Sequence, residues 1–256
     1  MFFKKIIYTI LLIFIQVQVL NLWAQESGND LQEASNAYSK GEYAKAAELY
    51  ENVLKTSGES ATVYYNIGNS YYKMDKIAPA ILNYERALLL DPGNGDIRFN
   101  LEIAKLQTVD KIEPIDEFFL VKWIHSLQNI LDTNKWSIIG IISFLLIIVS
   151  LILFFFSRKI ILKKIGFYTG IVWIVCCIAS NCFAHNQKQK ILNRNTAIVF
   201  APTVTIKSSP DNSGNDLFVL HEGVKVTIKS TLSDWSEIQI ADGNVGWIKN
   251  SDIEII

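Results

Sequence analysis

The sequence predicts a multidomain membrane protein: an all-α stack of helical repeats, two transmembrane α-helices, and a small all-β barrel near the C-terminal end. Three observations predict it. Residues 25–110 repeat themselves at an interval of 34 residues, two segments of about twenty residues carry no charge, and after Arg194 the chain turns to short alternating apolar and polar runs.

Half of the 256 residues are apolar, and 24 basic side chains nearly balance 25 acidic ones. That composition is richer in hydrophobics than a soluble protein needs, and it has no global positive field to attract nucleic acid. The basic residues gather instead beside apolar segments. Lys4 and Lys5 precede an apolar run that ends at Leu22-Trp23-Ala24, the order of a secretory signal over residues 1–24. Gln16, Gln18 and Asn21 argue against a spanning helix there.

Residues 136–156 and 165–184 contain no charged side chain, and each matches the roughly 20 residues that a helix needs to cross the hydrocarbon. Two such adjacent segments make a pair of soluble core helices the poorer reading. Arg158, Lys159, Lys163 and Lys164 occupy the turn between them, residues 157–164. Lys135 on one side and Lys188, Lys190 and Arg194 on the other leave the charge bias weak, so the signal decides orientation. With Lys4 and Lys5 inside, the first span runs outward to inward, the turn is cytoplasmic, and both soluble parts face outside, the periplasm of a bacterium whose inner membrane holds the spans. Cys176, Cys177 and Cys182 lie in or beside the second span, so the exported parts need no disulfides.

In the repeat, "AYSKGEYAKAAELYENVL" superposes on "YYKMDKIAPAILNYERAL": Ala46 falls on Ala80, Tyr50 on Tyr84, Glu51 on Glu85 and Leu54 on Leu88. The second copy adds Tyr64, Ile67, Gly68 and Tyr71 in its first helix and Pro92 at its close, and it resembles a tetratricopeptide repeat. Gly68 and Ala80 are small where two antiparallel helices cross, and Tyr84 fills the wedge between units. The first copy departs from the pattern, with Ala34 for Gly68, Asp30 for the aromatic and Gly58 for the proline, yet Ala46, Ala47, Tyr50, Val53 and Leu54 still give one apolar helical face. A third helix, "DIRFNLEIAKLQ", follows with Asp96 as its expected cap and shields the open end of the stack. The resemblance implies a concave face built from first helices, on which Tyr65, Asn69, Tyr72 and Lys73, with Tyr38 nearby, would bind a partner. The plainer alternative is that Tyr65 and Tyr72 pack between repeats.

Residues 111–135 form a linker. Glu113-Pro114 ends helix, and the dense apolar set from Phe118 to Leu131 reads as a helix in the membrane interface, or as one packed on the repeats. Residues 185–194 form a second linker. In residues 195–256 the order Leu220, Gly223, Val226, Ile228, Trp235, Gly246-Trp247-Ile248 and Ile253 is similar to bacterial SH3-type domains, so the fold implied is an SH3-like barrel of five or so strands. Trp235 matches the groove tryptophan of that family and is the ligand candidate; Trp247 reads as a core residue.

Catalytic chemistry is not legible. His125, His185 and His221 are scattered, and the chain lacks a phosphate-cradling glycine loop, a nucleophile with its base, and paired carboxylates in a cleft. The expectation is a non-enzyme without metal or cofactor. The order of signal, short tetratricopeptide array, two spans and terminal SH3-like domain resembles the BatE-type family of bacterial aerotolerance operons. That resemblance implies a periplasm-facing adaptor working with other Bat membrane proteins that carry von Willebrand A domains, in aerotolerance or envelope stress. The alternative is a cell-wall sensor whose tail binds peptidoglycan.

Overall fold

The computed structural model describes residues 30–256 except 117; the expected signal at 1–24 lies outside the described residues. The repeat stack consists of α1 (30–39), α2 (Tyr43–Ser57), α3 (Ala61–Lys73), α4 (Ile77–Leu90) and α5 (Gly95–Lys105). Small residues set the spacing: Ala34, Ala46, Ala78 and Ala80 are wholly buried, and Ile67, Ile81, Tyr84, Ile97 and Leu101 fill the space between helices. Gly68 lies flat under the Tyr84 ring, where a Cβ would come within 2.6 Å of a ring carbon. Asn94 rather than Asp96 caps α5, its side chain accepting from the Asp96 and Ile97 amides, because the helix begins two residues earlier than that cap implies, at Gly95.

After an extended stretch, α6 (Phe119–Gln128) leads into α7 (Thr133–Phe156) and α8 (Ile160–Asn193), an antiparallel pair. Both are long and apolar enough to cross a membrane. Small and polar groups face inward: Gly140, Ser143, Ser150, Gly166 and Ser180 are buried, and the Ser150 and Thr169 hydroxyls are 3.1 Å apart. Isoleucine, valine and phenylalanine side chains face outward and stay bare, the inverse of a soluble core helix. Both ends differ from the sequence reading. The turn is only Ser157–Lys159, with Lys163 and Lys164 already helical, and the expected linker 185–194 is helix through Asn193. Long aliphatic stems let lysine sit in a helix without breaking it, so charge alone does not mark a turn. Arg194, in a left-handed conformation, ends α8 one residue before the sheet comes within reach.

The C-terminal unit contains β1 (Thr196–Val199), β2 (Thr203–Lys207), β3 (Asp216–His221), β4 (Lys225–Leu232), β5 (Trp235–Gln239), β6 (Val245–Lys249) and β7 (Ile253–Ile255). The order is β3-β2-β6-β5-β4-β1-β7, with every pair antiparallel. The expected closed barrel is corrected to an open sheet: β3 and β7 are its edges, and β2 meets β6 through the single pairing Lys207↔Trp247, beside an irregularity at Ile206/Lys207. Ala197, Val199, Ile206, Val226, Ile238 and Ile248 form its core.

The repeat stack and the C-terminal sheet are fastened together at one end of the α7–α8 pair. Ile198 and Ile256 are buried in the apolar cluster of the repeats, with Phe200 against it. Beside them the buried Glu85 carboxylate accepts from Lys225 at 2.6 Å and lies 3.2 Å from Lys105. Arg86 bonds the Glu254 carboxylate and the Ile255 carbonyl, and Arg194 pairs with Glu59. The Gln187 amide on α8 donates to the Gln128 and Leu131 carbonyls at 2.8 Å, tying the returning helix to the approach of α7.

Candidate functional site

The 34-residue period lays out a ladder on the first helices of the units. Leu31, Tyr65 and Phe99 are equivalent positions one period apart, as are Tyr38, Tyr72 and Leu106. Tyr65 and Tyr72 are half-buried, whereas Phe99 on α5 and Leu106 just after it are 66% and 75% exposed. Phe99 and Leu106 escaped the sequence reading because the third unit stops after its first helix; extending the period by one more unit from Tyr65 and Tyr72 would have found them.

The predicted residues divide in two. Asn69 is an internal strut: its carbonyl oxygen accepts from the Tyr84 hydroxyl at 2.8 Å and from the Asn100 amide at 2.9 Å. The same Asn100 amide reaches the Tyr65 hydroxyl at 2.9 Å, and Gln107 donates to the Tyr72 hydroxyl at 2.6 Å. Tyr65 packs on Tyr84 with ring centroids 6.0 Å apart, and Tyr38 meets Tyr43 edge to face at 5.3 Å. Lys73 is exposed at the end of α3. Of these positions, Tyr65 and Tyr72 stay partly accessible, and Lys73, Phe99 and Leu106 are exposed.

Burial drives the Tyr84 phenol well above its ordinary range. The Tyr71 phenol is pushed up to about 12 by burial and by its hydrogen bond to the Glu51 carboxylate, at 2.6 Å. Glu51 and Tyr71 stand one period before Glu85 and Lys105, so the contact recurs with an ammonium in place of a phenol. Replacing Asn69 by alanine strands the Tyr84 hydroxyl in the core and is expected to cost about 1–3 kcal/mol, read as a lower unfolding midpoint in the full-length chain.

Trp235 lies on the other unit, half-exposed at the start of β5, with the Lys249 ammonium 5.6 Å from its ring centre. Trp247, expected in the core, is only half-buried; its neighbours Gly246 and Ile248 are the buried ones. At the far end of β5 the linker docks on the sheet. The Ile115 amide donates to the Ala241 carbonyl at 3.1 Å, and Asp110 receives the His221 amide at 2.7 Å while its other oxygen lies 2.9 Å from the His221 ring. A cleft of about 620 Å³ opens between α5, this linker and the sheet, walled by Leu106, Ile112, Pro114, Val224 and Ile240. Among the described residues no three His, Cys, Asp or Glu side chains gather closely enough to hold a metal.

Residues 61–94 match the tetratricopeptide repeat family, residues 34–75 match a TPR repeat family, and residues 202–254 match the bacterial SH3 domain family. No curated protein is significantly similar to the chain.

Proposed function

We propose that the protein is a non-catalytic adaptor of a bacterial inner membrane. In this reading α7 and α8 thread the bilayer, and both soluble units face the periplasm. The carrying observation is the union of two interaction modules, tetratricopeptide repeats and a bacterial SH3 domain, at one end of a hairpin whose outer surface is bare hydrocarbon. The exposed ladder of Phe99 and Leu106 is the surface that grips an exported domain of a membrane neighbour. The arrangement supports the BatE-type reading, with von Willebrand A domain proteins as partners in aerotolerance or envelope stress. A second reading, a peptidoglycan sensor acting through Trp235, is favoured by the bacterial SH3 match and by the exposed tryptophan face.

Orientation is tested on intact cells with a membrane-impermeant thiol reagent, in a chain whose three cysteines are replaced by alanine. Cysteines introduced at Ser39 and Asp242 should label and one at Arg158 should not; the reverse pattern overturns the proposal. Partner capture separates the two functions. Deleting residues 195–256 would strip Ile198 and Ile256 from the repeat core, so point substitutions are required. The adaptor reading expects Phe99→Ala with Leu106→Ala to reduce cross-linked membrane partners roughly tenfold or more while Trp235→Ala leaves them. The sensor expects Trp235→Ala to abolish association with cell-wall sacculi.

A further inference from the structure

A cleft of about 420 Å³ lies between α6 and the start of α5, separate from the repeat ladder and from Trp235. Arg98 closes it from the repeat side, and Lys122, His125, Ser126 and Asn129 line it from α6 and the residue after it. Those four positions recur at helical spacing, so they form one stripe. Phe119, Leu120, Val121, Trp123 and Ile124 on the same helix are exposed, Trp123 by 64%, while Gln128 at its end is buried. Among the described residues no carboxylate lines the cleft.

The walls are held in register. One Arg98 nitrogen donates to the Pro92 carbonyl at 2.6 Å. The adjoining loop presses so closely on the α6–α7 connection that a Cβ on Gly93 would fall 2.3 Å from the Ile130 carbonyl oxygen. The Trp136 indole in the first turn of α7 donates to the Gln128 carbonyl at 2.8 Å, which fixes the end of α6 to the start of the apolar hairpin.

An amphipathic helix joined to the start of a spanning helix lies with its apolar side in the acyl boundary and its polar side at the level of the lipid phosphates. We propose that this cleft binds the phosphate of an anionic phospholipid in the leaflet on the side of the soluble units; the inference rests on the membrane reading above. Arg98 supplies a planar fork suited to two phosphate oxygens, Lys122 a point charge, and Ser126 and Asn129 neutral polar contacts. The lipid's tails run along the Phe119, Trp123 and α7 surfaces. Phosphate is common to lipid headgroups and to soluble anions, but the bare apolar face beside the cleft selects the lipid.

The test uses the full-length chain in neutral detergent with equal amounts of phosphatidylglycerol and phosphatidylcholine, retained lipid being counted by native mass spectrometry. Wild type should retain phosphatidylglycerol selectively. R98Q/K122Q should lose that retention roughly tenfold or more with phosphatidylcholine retention unchanged, and K122Q alone, which leaves the Arg98–Pro92 bond intact, should lose part of it at an unchanged melting temperature. Equal phosphatidylglycerol retention by variant and wild type overturns the proposal. So does full displacement of the lipid by inorganic phosphate, which would assign the cleft to a soluble anion. Carbonate washing of membranes separates the two failures: wild type that is washed off overturns the membrane reading as well, whereas wild type that stays while R98Q/K122Q retains its lipid overturns the lipid site alone.

Discussion

Replacing Lys105 and Lys225 together by methionine is expected to cost about 3–5 kcal/mol and to loosen the C-terminal sheet from the repeats. Their shared partner is Glu85, whose side chain is only 8% accessible. Burial opposes ionisation of its carboxyl, but the Lys225 and Lys105 charges outweigh it and hold the group below the usual carboxylate range. With both ammoniums gone, a charge or a neutralised acid remains in a site shaped for an ion triad. Replacing Glu85 by leucine as well should restore most of the loss, because no unpaired charge is left. The pH dependence follows the same sign. Since the native carboxyl is more acidic than the unfolded one, its contribution is complete above about pH 5 and declines as pH falls through the native value. Wild type should therefore weaken in acid through this group, and in the double methionine variant, where burial alone acts on the carboxyl, the dependence should reverse, with stability falling as pH rises. Thermal unfolding of the full-length chain across acidic and neutral pH checks both statements.

Gly68→Leu should be nearly as damaging, at about 3 kcal/mol, through overpacking. Tyr84 cannot swing aside: it is 1% exposed, and its hydroxyl is held by Asn69 at 2.8 Å. The added carbon begins 2.6 Å from one ring carbon, with two more at 2.7 and 3.2 Å. Tyr84→Ala alone opens a cavity worth about 3–5 kcal/mol. Combining it with Gly68→Leu should cost less than the sum of the two, since leucine fills part of the void. Equal additivity in chemical denaturation would show that the two side chains do not meet.

The repeats were legible because their packing is written locally. Small Ala46 and Ala80 and large Tyr50 and Tyr84 recur at one spacing, and each must fit a helix crossing of the same shape. The surroundings of Asn69 were not legible, for the opposite reason. An amide on a first helix has the chemistry of a ligand donor, but Tyr84 and Asn100, which occupy it, come from two other helices. The strands were legible from alternation, whereas closure of the sheet depends on how far β2 pairs with β6, which alternation does not encode. Least legible was the junction: Glu85 and Lys225 lie 140 positions apart, and each alone reads as a solvated surface charge. The lipid cleft has the same character, since Arg98 and the α6 stripe meet only after the chain has folded back.

The second hairpin helix has no hinge. As a 34-residue rod about 50 Å long, it enters the first strand through Arg194 and Asn195 alone, and Arg194 is itself anchored on Glu59. A shaft built this way converts twist or vertical travel at its far tip into rotation or lift of the whole head. If a bilayer surrounds the rod, as proposed above, a change in its thickness would reach the C-terminal strands as mechanical displacement, with no messenger and no unfolding required.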